Sequence, residues 1–158
     1  MSRSTRRAFL GTAAVAAGCG APRPFRFFTP AEARTLDAML ACIIPSDDVP
    51  GAREAGVIHY IDRQLTRNFR EHQKTYRDGL AALGDFAALP GDRQLQALRD
   101  LERDRARRPF FDLVVTHAMQ GFYGNPRHGG NRDFASWRML GIPPIPVRGR
   151  QGGSRAKG

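Results

Sequence analysis

Cysteine is scarce in this chain of 158 residues: Cys19 and Cys42 are the only two. Two thiols cannot ligate an iron–sulfur cluster alone, and no Cys-x-x-Cys-His run is present to attach haem covalently. Neither a Gly-x-Gly-x-x-Gly fingerprint nor a phosphate-loop lysine occurs, so no dinucleotide site is expected in this chain. Ser136 follows no nucleophile elbow, which removes the usual signature of a hydrolase triad. No apolar run approaches the ~20 residues of a membrane-spanning helix. Alternating Val/Ile stretches are missing, so strands are not expected either. Acids are also short, at 15 against 25 bases. The absences leave an all-α chain without visible equipment for redox or hydrolytic chemistry.

The excess of bases lies at the ends. Arg3, Arg6 and Arg7 open the chain; Arg148, Arg150, Arg155 and Lys157 close it; neither end carries an acid. The middle is near neutral, so nucleic acid is not an expected partner. Length and an apolar content of 41% suit one domain around one core.

The first 21 residues read as an address. Arg6 and Arg7 are followed by Phe9 and Leu10 and by a short, alanine-rich apolar run. This is the pattern of a twin-arginine signal peptide, which is set aside from the fold. Its use implies the twin-arginine translocase as a partner and a periplasmic destination. Ala16-Ala17-Gly18-Cys19 is similar to a lipobox, with alanine where leucine is preferred. Lipidation of Cys19 and plain cleavage between Cys19 and Ala21 both stay open, as does membrane attachment through Cys19. Cys42, between Leu40 and Ile43, reads as a buried inert thiol.

Residues 22–28, with Pro22 and Pro24, read as a stiff linker. Thr29-Pro30-Ala31-Glu32 then carries a capping box with proline at the first helical position. Ala33, Leu36, Leu40, Ile43 and Ile44 give the first helix its apolar face, and Pro45 ends it. A second helix is predicted from about Ala52 to Asn68 on Ile58, Ile61 and Leu65, with Asp62, Arg63 and Arg67 facing out. A third runs from about Arg70 to Leu83 on Tyr76, Leu80 and Leu83. A fourth carries Leu95, Leu98 and Leu101. The fifth starts at Pro109, with Phe111, Val115, Ala118 and Phe122 as its stripe and Phe110 and Val114 on one flank. His117 falls on the edge of that stripe, placed to bond the returning loop. Asp47 and Asp48 lie between Pro45 and Pro50, where turn chemistry outweighs a calcium site because no EF-hand spacing supplies further oxygens.

The most specific stretch follows. The fifth helix stops at Gly124, and a loop with Pro126, Gly129 and Gly130 leads into a short helix with the only tryptophan, Trp137. Gly141, Pro143 and Pro144 end it. The expected architecture is a single compact bundle of about five to six helices over residues 29–147, with a glycine-rich loop and a short C-terminal helix. Residues 148–158 form a basic tail of disordered composition. Tyr123, Arg127, His128, Asn131, Arg132, Phe134, Trp137 and Arg138 are the partner-binding candidates, mostly aromatic and arginine types that dominate interface cores. A self-stabilising loop with Trp137 plugging the bundle is an equal and compatible reading.

These segments also carry a resemblance. Residues 120–124, 126–133 and 137–143, with 44–48, 50–56 and 60–65 upstream, resemble the gluconate 2-dehydrogenase subunit 3 family. These are small subunits of membrane-linked flavin dehydrogenases, and the likeness covers about residues 30 to 145. It implies a non-catalytic partner of a large flavin subunit of the glucose–methanol–choline oxidoreductase class. That subunit would oxidise a sugar or sugar acid and pass electrons to a cytochrome c subunit. FAD and haem c would then belong to the partners, with no cofactor or metal in this chain. The small subunit would carry the export signal for its partner. The basic tail has no match in the family pattern. The alternative is a stand-alone periplasmic metal-binding protein or enzyme using His117 and His128 with Asp47 and Asp48.

Overall fold

The computed structural model describes residues 25–143. The export signal at Arg6, Arg7, Phe9 and Leu10, the candidate lipidation site Cys19, linker residues 22–24 and the basic tail lie outside the described residues. Six α-helices form one bundle: α1 (Pro30–Ile43), α2 (Val57–Leu65), α3 (Gln73–Leu83), α4 (Gly91–Arg103), α5 (Arg108–Tyr123) and α6 (Ala135–Met139). No strand occurs among the described residues. The all-α reading therefore holds. Helix α5 packs against every other helix, and α1 against α2 through α5.

Helix α1 starts as its sequence dictates. The Thr29 side chain accepts from the Glu32 N–H, and the Glu32 carboxylate accepts from the Thr29 N–H at 2.8 Å. Burial alone would raise the Glu32 pKa, but bonds from Arg77 and Thr29 outweigh it and hold the group below its ordinary range.

Helix α2 is shorter than predicted. Gly56 has φ +68°, and residues 52–56 form a turn rather than helix. Only glycine takes that backbone at little cost. The second and third helices do not run together: residues 66–69 break them apart, and a 3₁₀ turn (Arg70–His72) precedes α3.

Three facial assignments change. Leu95 in α4 is 45% exposed, while Leu98 and Leu101 are buried. On α5 the buried stripe is Phe110, Val114, Ala118 and Phe122, with Phe111 and Val115 only half-buried. His117 therefore lies inside the face, not on its edge. Asp62 does not face out; it is 4% exposed.

Asp62 explains why the expected linker is no linker where the structure describes it. Its Oδ2 accepts from the Arg26 N–H at 2.8 Å, and its Oδ1 from Phe27 and Phe28 at 2.9 and 3.2 Å. Arg77 donates to the Phe27 carbonyl at 2.7 Å and covers the Phe27 ring at 4.1 Å. Phe28 is buried against Tyr76, and Phe25 stacks on His59. Residues 25–28 are thus bound to the core before α1 begins. A carboxylate accepting several backbone N–H groups gives strong, charge-assisted bonds. Asp62→Ala would leave those donors facing a buried gap. It is expected to cost about 2–4 kcal/mol in urea denaturation and to open residues 25–28 to proteolysis. Unchanged stability and resistance would show that the carboxylate does not hold the segment.

Candidate functional site

The loop after α5 is built on the buried side chain of Asn131. Asn131 is fully buried, with its amide nitrogen donating to the Gly124 carbonyl at 2.9 Å and its amide oxygen accepting from the Ser136 N–H at 3.0 Å. It thereby ties the end of α5 to the start of α6. Trp137 adds a second tie, its indole N–H donating to the Tyr123 carbonyl at 2.9 Å. Gly130 lies against the α5 backbone, where any Cβ would run into the Gly121 carbonyl oxygen. That close approach explains the glycine.

The backbone of the loop is strained. Asn131, Asp133 and Phe134 have φ of +46°, +54° and +58°. Asparagine and aspartate tolerate this region, but phenylalanine does so at a cost of order 1 kcal/mol or more. The Ser136 hydroxyl is buried and has no hydrogen-bond partner among the described residues. Such a geometry persists only where surrounding bonds enforce it.

The two most distinctive sequence stretches meet here. The Arg132 N–H donates to the Ala55 carbonyl at 2.9 Å, and the Arg132 guanidinium lies over Gly56. The Arg127 carbonyl accepts from Arg63 of α2 at 2.8 Å. Residues 50–56 and 126–133 thus form one surface, although some seventy residues separate them in the chain.

Among the partner-binding candidates, Tyr123, Arg127, Arg132 and Arg138 are exposed, and His128, Phe134 and Trp137 are half-buried. Phe134 tilts against Trp137 at 5.6 Å. Asn131 is the exception. Its burial makes it the internal tie of the loop rather than a surface contact.

His117 and His128 stand in different surroundings. His117 pairs through Nδ1 with the Tyr76 hydroxyl at 3.0 Å and stacks on Phe69 at 4.3 Å. It bonds a helix-α3 side chain, not the returning loop as the spacing suggested. Burial, then the neighbouring His72, pushes its pKa down to about 4, with Glu71 opposing. His117 is therefore neutral at pH 7. His128 takes a bond from Arg127 Nε at 2.9 Å, and partial burial with Arg127 and Arg63 lowers its pKa. Asp47 makes a turn, its carboxylate accepting from the Val49 N–H at 3.0 Å. No group of three or more His, Cys, Asp or Glu side chains converges among the described residues. Cys42 is half-buried; burial raises its pKa, so the thiol stays protonated and unreactive.

A family model described as "Gluconate 2-dehydrogenase subunit 3" matches residues 30–144. The chain belongs to the gluconate 2-dehydrogenase subunit 3 family. The matched span takes in all six helices and the Asn131 loop. Comparison with curated proteins and with solved structures gives no match. A third subunit implies companion subunits, so the chemistry of this family member is read at the level of an assembly.

Two roles escaped the sequence reading: Asp62 as the clamp on residues 25–28, and Tyr76 as the partner of His117. Asp62 had a signal: it lies four residues after Ile58 and three before Leu65, on the buried side of α2. Tyr76 and His117 come from different helices, so no local pattern joins them.

Asn131→Ala is expected to cost about 2–4 kcal/mol, because a buried N–H and a part-buried carbonyl lose their partner. The single tryptophan reports on the same event. Its emission should shift red at lower urea than the helical circular dichroism is lost, whereas coincident transitions at the wild-type midpoint would argue against the tie. For His117, the unfolded chain takes up a proton near pH 6.5 that the folded chain refuses until about pH 4. Stability should therefore fall as pH drops through that window, and His117→Gln should flatten the slope. An equal slope in the variant would assign the pH dependence elsewhere.

Proposed function

We propose that this chain is a non-catalytic accessory subunit of a periplasmic, flavin-dependent dehydrogenase complex acting on a sugar or a sugar acid such as gluconate. The observation that carries this reading is the family match over residues 30–144. In this proposal FAD belongs to a large catalytic subunit and haem c to a cytochrome subunit. The chain stabilises the large subunit and supplies its export signal through Arg6, Arg7, Phe9 and Leu10.

Physical features support the accessory role. The strained, strapped loop of residues 124–141 displays aromatic and arginine side chains on a fixed frame, as interfaces do. The alternative of a stand-alone metal protein draws on His117 and His128. Their present bonds, to Tyr76 and from Arg127, do not favour it.

The Asp62 clamp gives the export proposal a structural context. Residues 25–28 are fixed to the folded core a few residues downstream of the proposed signal, with its lipidation at Cys19 or its cleavage between Cys19 and Ala21. A folded body would then follow a short leader, which suits a translocase that carries folded cargo. Replacing Arg6 and Arg7 with lysine tests the proposal by cell fractionation. This chain and its flavin partner are both expected to stay in the cytoplasm. A partner that still reaches the periplasm would end the escort reading.

A further inference from the structure

Seven large hydrophobic side chains are exposed among the described residues, and five of them lie on the C-terminal half of α5 and on or just after α6. Met119 and Tyr123 occupy successive turns of the solvent side of α5, at 45% and 43% exposure. Met139, Leu140 and Ile142 follow on the last turn of α6 and just beyond it, at 39%, 55% and 42%. The two elements are held together by the Trp137 bond to the Tyr123 carbonyl and by direct packing of α5 on α6. The remaining two, Leu89 and Leu95, lie beside and on α4, where Leu95 lines a groove with Phe111 and Val115, one turn before Met119 on α5.

The C-terminal stretch that carries these residues is mostly positive. After Asp112 the sequence holds a single acid, Asp133, against seven bases. Arg127 and Arg138 flank the apolar residues in the chain, are exposed, and have no carboxylate within 4.0 Å among the described residues. Four of the seven bases lie in residues 144–158, which follow Pro143 in the chain.

Resting on the accessory-subunit reading, we propose that the α5–α6 end is the docking face for the catalytic subunit, and that the subunit's matching surface is apolar at its centre and acidic at its rim. Methionine, tyrosine, tryptophan and arginine are the types enriched where proteins meet. Methionine adapts to an irregular partner surface, while the strapped loop beneath keeps the frame pre-organised and lowers the ordering cost of binding. Charge selects among occupants. A second copy of this chain would set arginine against arginine, which disfavours self-association. An acidic rim on a different protein complements it.

The test uses the tagged full chain purified from its native host, with co-purifying protein identified by mass spectrometry and flavin absorbance. Met119→Glu with Leu140→Glu is expected to reduce the recovered catalytic subunit by about tenfold or more. Ala82→Glu, exposed on α3 beside Pro109 and Phe110 at the opposite end of α5, is expected to leave it unchanged. Arg127→Glu with Arg138→Glu reverses the rim and is expected to give a comparable loss that leaves the apolar residues untouched. Full recovery in both double variants would overturn the proposal while leaving the accessory reading standing. So would a comparable loss caused by Ala82→Glu alone, or binding of the wild-type chain to phosphatidylglycerol vesicles that survives in the Met119/Leu140 variant alongside undiminished recovery. Wild-type chain that recovers no oxidoreductase subunit would overturn both.

Discussion

The fold's most distinctive feature depends on one buried amide. Asn131 bridges the last turn of α5 and the first turn of α6, and without it the strained backbone at Asp133 and Phe134 would relax. Ordering a loop of this length opposes folding through lost backbone entropy, at roughly 1–2 kcal/mol per residue. The two hydrogen bonds of the Asn131 amide, the Trp137 tie and the Arg132 bond to Ala55 offset part of that cost. The outcome is a surface fixed in shape before anything binds it.

The opposite end of the folded chain is fixed by comparable means. Asp62 gathers three backbone N–H groups, and Arg77 takes the carbonyl and ring of Phe27. Both anchors draw on interior positions of α2 and α3, so entry into the fold and the loop surface share one core. Arg63, next to Asp62 in sequence, reaches the Arg127 carbonyl. Helix α2 therefore holds the N-terminal segment with one residue and the loop with the next.

Much of the fold could be read from the sequence because its signals are local. The capping box at Thr29 and Glu32, the stop at Gly124, and the short Trp137 helix all depend on neighbours within a few residues. What was not legible depends on contacts between distant segments. The period of α5 defined an apolar face, but whether Phe110 or Phe111 sits deepest is decided by α3, where Gly79 admits the Phe110 ring. His117 looked like a boundary residue because its partners, Tyr76 and Phe69, lie some forty positions away. Asn131 looked like a surface candidate because loop asparagines usually are exposed. The upstream match at residues 50–56 gained meaning only when Ala55 and Gly56 were found beneath Arg132.

On the proposed reading the candidate site is a docking surface, and membership of a subunit family places its meaning in an assembly. Native mass spectrometry of the full chain purified from its host, with dehydrogenase activity assayed on the same fractions, bears most directly on that claim. A defined complex with a flavin-bearing subunit, activity confined to that complex, and none in the separated chain is the expected result. A free monomer that turns over substrate or carries a stoichiometric metal would contradict it.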